Sequence, residues 1–203
     1  MTLINTRDGK FNESWLESLQ HDPVHPTTWD HPRRHGPDRD TFFLLEDNIP
    51  SFVLCVAYHD VLPSTMNEIL PWYKPYSISK EPKFAIFYSI FKTPYIRNPI
   101  HKGGWLILSA ASYIKEQYPT IEHFTTMSPI PSLSKKFANR EEATDGKVLA
   151  YLATRRDPVS AFHMRNGATL MRVIPSADNS GIRVDQSFGL MANYDYTSLV
   201  HTL

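Results

Sequence analysis

One cysteine, Cys55, in 203 residues leaves no partner for an intrachain disulfide and excludes a zinc or iron–sulfur site built on a cysteine cluster. It lies in the apolar run Phe52-Val53-Leu54-Cys55-Val56-Ala57, where a thiol serves as a small core side chain. No charge of either sign is in excess, with 21 Lys+Arg against 21 Asp+Glu. The clustered cations that a dedicated nucleic-acid binder needs for phosphate contacts are therefore not signalled. No run approaches the ~18 to 20 apolar residues of a membrane span. The first ten residues hold no apolar signal region, and the last four carry no lipidation or peroxisomal signal. The expectation is a cytoplasmic protein with neither a membrane nor a nucleic acid as partner. There is no internal repeat. What is present suffices for a core: 41% hydrophobic and 12% aromatic residues exclude global disorder.

The length fits one domain, or one domain with a short extra arm. Residues 11–20 place Trp15, Leu16 and Leu19 at helical spacing. Residues 21–40, rich in Pro and His, have no apolar period and read as an irregular arm. The division expected is thus an N-terminal arm with a short helix over 1–40 and a catalytic domain over 41–203. Thr41 to Leu45, Phe52 to Tyr58 and Phe84 to Ile90 read as buried strands, the first two joined by a hairpin turn. Residues 63–83 predict a short helix with loops, and 91–104 a loop ending in Gly103-Gly104. The best helix runs from Trp105 to Gln117, with Trp105, Leu108, Ala111, Ser112 and Ile114 to Lys115 as its partly apolar face and Pro119 closing it. A strand from Ile121 to Met127 follows, stopped by Pro129 and Pro131. Residues 132–156 read as helix and connector. Asp157-Pro158 opens another helix as N-cap and N1, and Asn166-Gly167 ends it. Ala168 to Ile174 and Ser187 to Tyr194 are the last predicted strands. The order predicts a mixed α/β sheet with a right-handed crossover at its centre.

Three segments have the residue types for chemistry. Ser128 sits where a strand ends against two prolines, and a hydroxyl at the carboxyl end of a strand is well placed to face a ligand crevice; the competing reading is a serine that caps a turn. His163 falls in the last turn of a short helix. There an imidazole can move a proton near neutral pH, and the helix C-terminus favours its charged form; the competing reading is a structural histidine. The loop at 93–104 brings Arg97, Lys102, Gly103 and Gly104 before a helix N-terminus, an arrangement that can hold a phosphate, against the reading of a solvated loop. His21, His25, His31 and His35 with neighbouring aspartates match no compact metal-ligand spacing, so no metal site is expected.

Together these segments resemble the catalytic domain of malonyl-CoA decarboxylase. Phe124 to Pro131 resembles the family's Ser-Pro-Ile-Pro motif. Asp157 to Ala168 resembles its Pro-Val-Ala-Asn-Phe-His-Leu-x-Asn-Gly-Ala motif. Gly189 to Tyr196 resembles its closing Gly-Leu-Met-Ala/Val-Asn-Tyr-x-Tyr motif, and Phe87-Tyr88-Ser89-Ile90 matches the strand before the cofactor loop. The resemblance covers roughly residues 40–197 and does not include the family's long helical N-terminal domain. It implies the GNAT acyltransferase fold, a GNAT-like mixed central sheet with a splayed strand pair flanked by helices.

The resemblance also implies a catalytic pair, Ser128 and His163. Backbone N–H groups near Tyr88, Ser89 and Ile90 would stabilise an enolate, Tyr196 and Asn166 would support the site, and Arg172 would meet a carboxylate. The pyrophosphate of the substrate would lie on the 91–104 loop. No cofactor is implied beyond the coenzyme A thioester that serves as substrate. The leading expectation is decarboxylation of malonyl-CoA or a related malonyl thioester. A GNAT-type acyltransferase acting on an amine or carrier-protein thiol is the second, and a non-catalytic acyl-CoA-binding module the third. The partner would be an acyl-CoA or acyl-carrier-protein thioester, with the state of oligomerisation left open.

Overall fold

The computed structural model describes residues 1–23, 36–71, 81–96 and 102–202. In chain order the strands are β1 (Thr2–Asn5), β2 (Arg39–Glu46), β3 (Ile49–His59), β4 (Phe84–Lys92), β5 (His123–Thr126), β6 (Ser128–Pro129), β7 (Thr169–Ile174) and β8 (Met191–Asp195). The α-helices are α1 (Met66–Ile69), α2 (Lys102–Gln117), α3 (Leu133–Lys136), α4 (Asp145–Ala153), α5 (Pro158–Arg165), α6 (Gly181–Ser187) and α7 (Thr197–Val200). The expected mixture of α and β is present. The chain divides into two compact units, Met1–Val61 with Leu70–Phe124, and Leu62–Ile69 with Thr125–Leu203.

The first unit is an antiparallel meander, β1-β2-β3-β4, with α2 packed on it. β2 and β3 are buried along almost their whole lengths, which is why they read as continuous apolar runs rather than as alternation. Their two-residue turn is Asp47-Asn48, both at positive φ (51° and 63°). That is the twist a tight hairpin needs, and Asp and Asn tolerate it better than other side chains. Within this unit β1, from the N-terminal residues, pairs with β2. A 3₁₀ helix over Glu13–His21, capped by Asn12, contributes buried Leu16 and Leu19.

Two expectations in this unit are corrected. Gly103 and Gly104 lie in the first turn of α2, not in the preceding loop. The buried face of α2 is Gly103, Gly104, Leu106, Ile107, Ala110, Ala111 and Ile114, while Trp105 stays 39% exposed. Ala111 and Ile114 of the predicted face do lie on it; the stripe that packs is otherwise made largely of glycine and alanine, whose apolar signal is weak, and the larger Trp105 and Leu108 pulled the predicted face partly away from it.

The second unit has shorter strands. β8 pairs antiparallel with β5, β6 and β7. The segment predicted as a strand from Ser187 instead finishes α6 at Ser187. It turns through Phe188 (φ 55°) and Gly189 (φ 76°) and enters β8 only at Met191. α6 was missed because Ile182 and Val184 face outward and leave no helical apolar period. α7 lies beyond the predicted elements. Among the described residues no helix is long and apolar enough to cross a membrane.

Candidate active site

Helix α5 carries His163, and both its ends are set by local chemistry. Asp157 is the N-cap, and its carboxylate accepts the N–H groups of Val159 and Ser160 at 3.0 Å each. Pro158 takes N1, where no donor is needed. At the other end Ala168 N–H reaches the His163 carbonyl at 3.1 Å, and Gly167 N–H reaches that of Met164 at 3.4 Å. This is the Schellman pattern, which requires the left-handed turn that Gly167 supplies at φ 90°. The helix is therefore short by design, and His163 sits one turn from its end.

The same Asp157, fully buried, also accepts the N–H of Ser132 at 3.2 Å and the Ser132 hydroxyl. Ser132 lies four residues past Ser128, across Pro129-Ile130-Pro131. Ser160 ties α5 to α4 by donating to the Leu152 carbonyl at 2.6 Å. The histidine helix and the serine segment are thus moored to one another away from the pair as well as at it.

At the pair, Ser128 Oγ lies 3.1 Å from His163 Nε2, and His163 Nδ1 lies 2.9 Å from the Tyr196 hydroxyl. Ser128 and His163 are each 4% exposed. The imidazole stacks on Tyr194, with centroids 4.7 Å apart and planes at 20°. Thr126, one step back along the strand face from Ser128, accepts the Ser128 hydroxyl at 2.8 Å and the Tyr194 N–H at 3.1 Å through Oγ1. Burial pushes the His163 pKa down to about 3 and pushes the hydroxyls of Tyr194 and Tyr196 up. The expectation that the helix C-terminus would favour charged His163 is overturned. A helix terminus contributes at most ~2 kcal/mol toward the cation, and removal of the ring from water outweighs it. At neutral pH the imidazole is uncharged, with one ring proton.

Of the residues singled out in the sequence, Ser128, His163 and Tyr196 come together. Arg172 does not join them. Along β8, Ala192 and Tyr194 face one side and Asn193 the other. His163 stacks on Tyr194, whereas Arg172 Nε donates to Asn193 Oδ1 at 2.7 Å and its Nη2 to the Pro63 carbonyl at 3.3 Å. A bulge at Met171, between the pairings Leu170↔Tyr194 and Arg172↔Asn193, puts the guanidinium on the Asn193 side. Asn166 ends α5 and donates to the Phe162 carbonyl at 2.9 Å, the work of a helix cap.

In the first unit, Tyr88, Ser89 and Ile90 lie on β4, where the register steps from Cys55↔Ser89 to Val56↔Phe87 and leaves Tyr88 as the extra residue of a bulge. Ser89 donates to buried Asp22 at 2.7 Å. Lys102 pairs with Glu46 at 2.6 Å. Arg97, like His25, His31 and His35, lies outside the described residues.

Sequence reading assigned no role to Thr126, Asn193, Tyr194 or Ser132. Thr126 had a signal: a hydroxyl two residues before Ser128 on a strand shares its face. Asn193, whose Nδ2 donates to the Thr126 carbonyl from 67 residues away, was marked only by its place in the closing motif, which does not tell what it bonds.

The sequence profile of the malonyl-CoA decarboxylase C-terminal domain matches residues 16–156 and 150–200. The mitochondrial malonyl-CoA decarboxylase of Rattus norvegicus is 23% identical over 239 residues, covering 85% of this chain and 49% of that protein. Its counterpart from Anser anser anser is 25% identical over 85% and 47%. The chain therefore spans about half the length of these relatives. Among solved structures, malonyl-CoA decarboxylase from Agrobacterium vitis superposes with a TM-score of 0.81 at 23% identity, over 100% of this chain and 63% of that one. The GNAT-like decarboxylase GphF in complex with isobutyryl-CoA gives 0.65 at 17% identity, over 96% and 98%. The likeness extends at 0.55 and 12% identity to the loading GNATL domain of CurA from Lyngbya majuscula, over 77% and 75%. The GNAT-like fold expected from the motifs is the one observed.

Proposed function

The chain belongs to the family of malonyl-CoA decarboxylase C-terminal domains, and from that premise we propose that it decarboxylates malonyl-CoA or a closely related malonyl thioester. The observation that carries the reading is the buried Ser128–His163–Tyr196 chain of hydrogen bonds.

The chemistry asks little else of the protein. The bond between the α-carbon and the carboxylate breaks, carbon dioxide leaves, and the electron pair moves into the thioester carbonyl as an enolate. A proton then closes the α-carbon to give the acetyl thioester. Ser128 orients the carboxylate through its hydroxyl, and the Ser128–His163 pair supplies the proton. The thioester itself is the electron sink. In the first unit, the β4 bulge supports Tyr88, Ser89 and Ile90 as the stretch whose backbone N–H groups meet a thioester oxygen. Lys102, Gly103 and Gly104, opening a helix of 16 residues, support the reading of that turn as the holder of the coenzyme A phosphates. With Arg172 held by Asn193 and the Pro63 carbonyl, the carboxylate is left to Ser128.

A second reading, transfer of the acyl group to an amine or a carrier-protein thiol, draws on the serine hydroxyl lying 3.1 Å from an imidazole nitrogen, the pairing of a nucleophile with its base. Incubation of the purified protein with malonyl-CoA, with products followed by mass, tests the lead. Acetyl-CoA is expected without an acceptor, and Ser128→Ala and His163→Ala are each expected to lower kcat by about 10² or more. Acylation of an added amine or carrier protein in place of free acetyl-CoA favours the second reading. Undiminished turnover in both variants removes the proposed pair.

A further inference from the structure

The hydrogen bonds around Ser128 leave one consistent placement of protons. A serine hydroxyl has a single proton to give, and Ser128 gives it to Thr126 Oγ1 at 2.8 Å. The 3.1 Å contact between Ser128 Oγ and His163 Nε2 must then use a proton on Nε2. A neutral imidazole has only that one, so Nδ1 is bare and accepts the Tyr196 O–H at 2.9 Å. Thr126 does not turn freely. It is fully buried, its Oγ1 also receives the Tyr194 N–H at 3.1 Å, and its carbonyl receives Asn193 Nδ2.

We propose that Thr126 is a positioning residue that holds His163 in the Nε2–H tautomer, by taking the Ser128 proton, and so sets the direction of proton flow outward from the imidazole through Ser128. With Ser128 pointing the other way, its proton would sit against Nε2, Nδ1–H would donate to Tyr196, and the imidazole would be a base that activates a serine nucleophile. The same two side chains would then suit acyl transfer through a serine ester instead of protonation of an enolate. Thr126 selects the acid direction.

This inference rests on the decarboxylase reading for its consequence and completes its proton balance. When substrate arrives, the Ser128 O–H turns from Thr126 to the malonyl carboxylate. After the carbon–carbon bond breaks and carbon dioxide departs, that proton goes to the α-carbon. Ser128 recovers one from Nε2 while Nδ1 takes the Tyr196 proton; once product leaves, solvent water reprotonates Nε2 and Nδ1 returns its proton to Tyr196, which restores the Nε2–H form. One proton is consumed for each carbon dioxide released.

The test is ¹⁵N NMR of protein labelled at histidine, with His163 assigned by its loss in His163→Asn, together with kcat and KM on malonyl-CoA. The wild type is expected to show the Nε2–H form. Thr126→Val, close in shape but unable to accept, is expected to move His163 to Nδ1–H and to lower kcat about 100-fold, the size of a lost general acid, with KM little changed. Thr126→Ser is expected to restore both. An Nδ1–H form in the wild type overturns the proposal, as does Thr126→Val that keeps both tautomer and kcat. Should Thr126→Val fail to fold, the wild-type and Thr126→Ser spectra still decide. The tautomer is read without substrate, so a wild type that leaves malonyl-CoA intact defeats the decarboxylase reading while the spectra judge Thr126 separately.

Discussion

The two units are built on different terms. In the first, β2 and β3 bury nearly every residue they have, and the meander is held by apolar surface in long registers. Its buried Asp40 lies near the start of β2, bonded by Arg7 at 2.6 Å and by Tyr58 at 2.5 Å. The second unit has strands of two to six residues and buries Thr126, Ser128, Asp157, Ser160, His163, Ser187 and Asn193. Burial of a polar group costs free energy unless it is hydrogen-bonded, so this unit holds together only while its bonds stay matched. The first unit buries polar side chains too, among them Asp22, Arg39, Ser51 and Ser89, but beside long apolar strands; the difference teaches that where strands are short, matched hydrogen bonds must do the aligning, as they do around Ser128 and His163.

Three measurements sharpen or break that contrast. The largest effect is expected in the apolar unit, where Leu54→Ala in the middle of β3 should destabilise by about 2–5 kcal/mol through lost burial and the cavity it leaves. Urea denaturation measures it, and a cost below that of the polar variants would erase the contrast.

Next comes pH. His163 has a pKa of about 3 in the fold against an ordinary 6.5. Above pH 6.5 it is neutral folded or unfolded and contributes no pH dependence. Below that the unfolded chain takes up a proton that the fold refuses, and stability falls by about 1.4 kcal/mol per pH unit until about pH 3. Urea midpoints at pH 7 and pH 5 should therefore converge in His163→Asn relative to the wild type. Equal slopes would move this liability to another group.

The smallest change in stability is expected for Asp157→Ala, about 1–2 kcal/mol, since α5 loses its cap and Ser132 an acceptor. Its larger mark should be a fall in kcat as the helix carrying His163 loosens from the Ser128 segment. Melting temperature and turnover measured on the same preparation separate the two.

Much of the architecture was legible beforehand. β2, β3 and β4 came from their apolar runs, and α5 came from Asp157-Pro158 at one end and Asn166-Gly167 at the other, because a cap and a left-handed glycine act over a few residues. α6 escaped since its outward Ile182 and Val184 break the period. Most of the buried face of α2 escaped since glycine and alanine register as core only when a sheet lies against them. At the site, motif resemblance brought forward Ser128, His163 and Tyr196. It also brought Arg172, which a bulge in β7 turns to the Asn193 side of β8.

What the chain by itself determined is the set of elements whose causes are local: the Asp47-Asn48 hairpin, the two ends of α5, and the residue types available for moving a proton. Only the tertiary structure decided which of them meet. Ser128 and His163 are 35 residues apart, and Thr126 and Asn193 are 67 apart. A short-range rule cannot reach across such separations, and the protonation of a buried imidazole depends on what surrounds the ring once water has been removed.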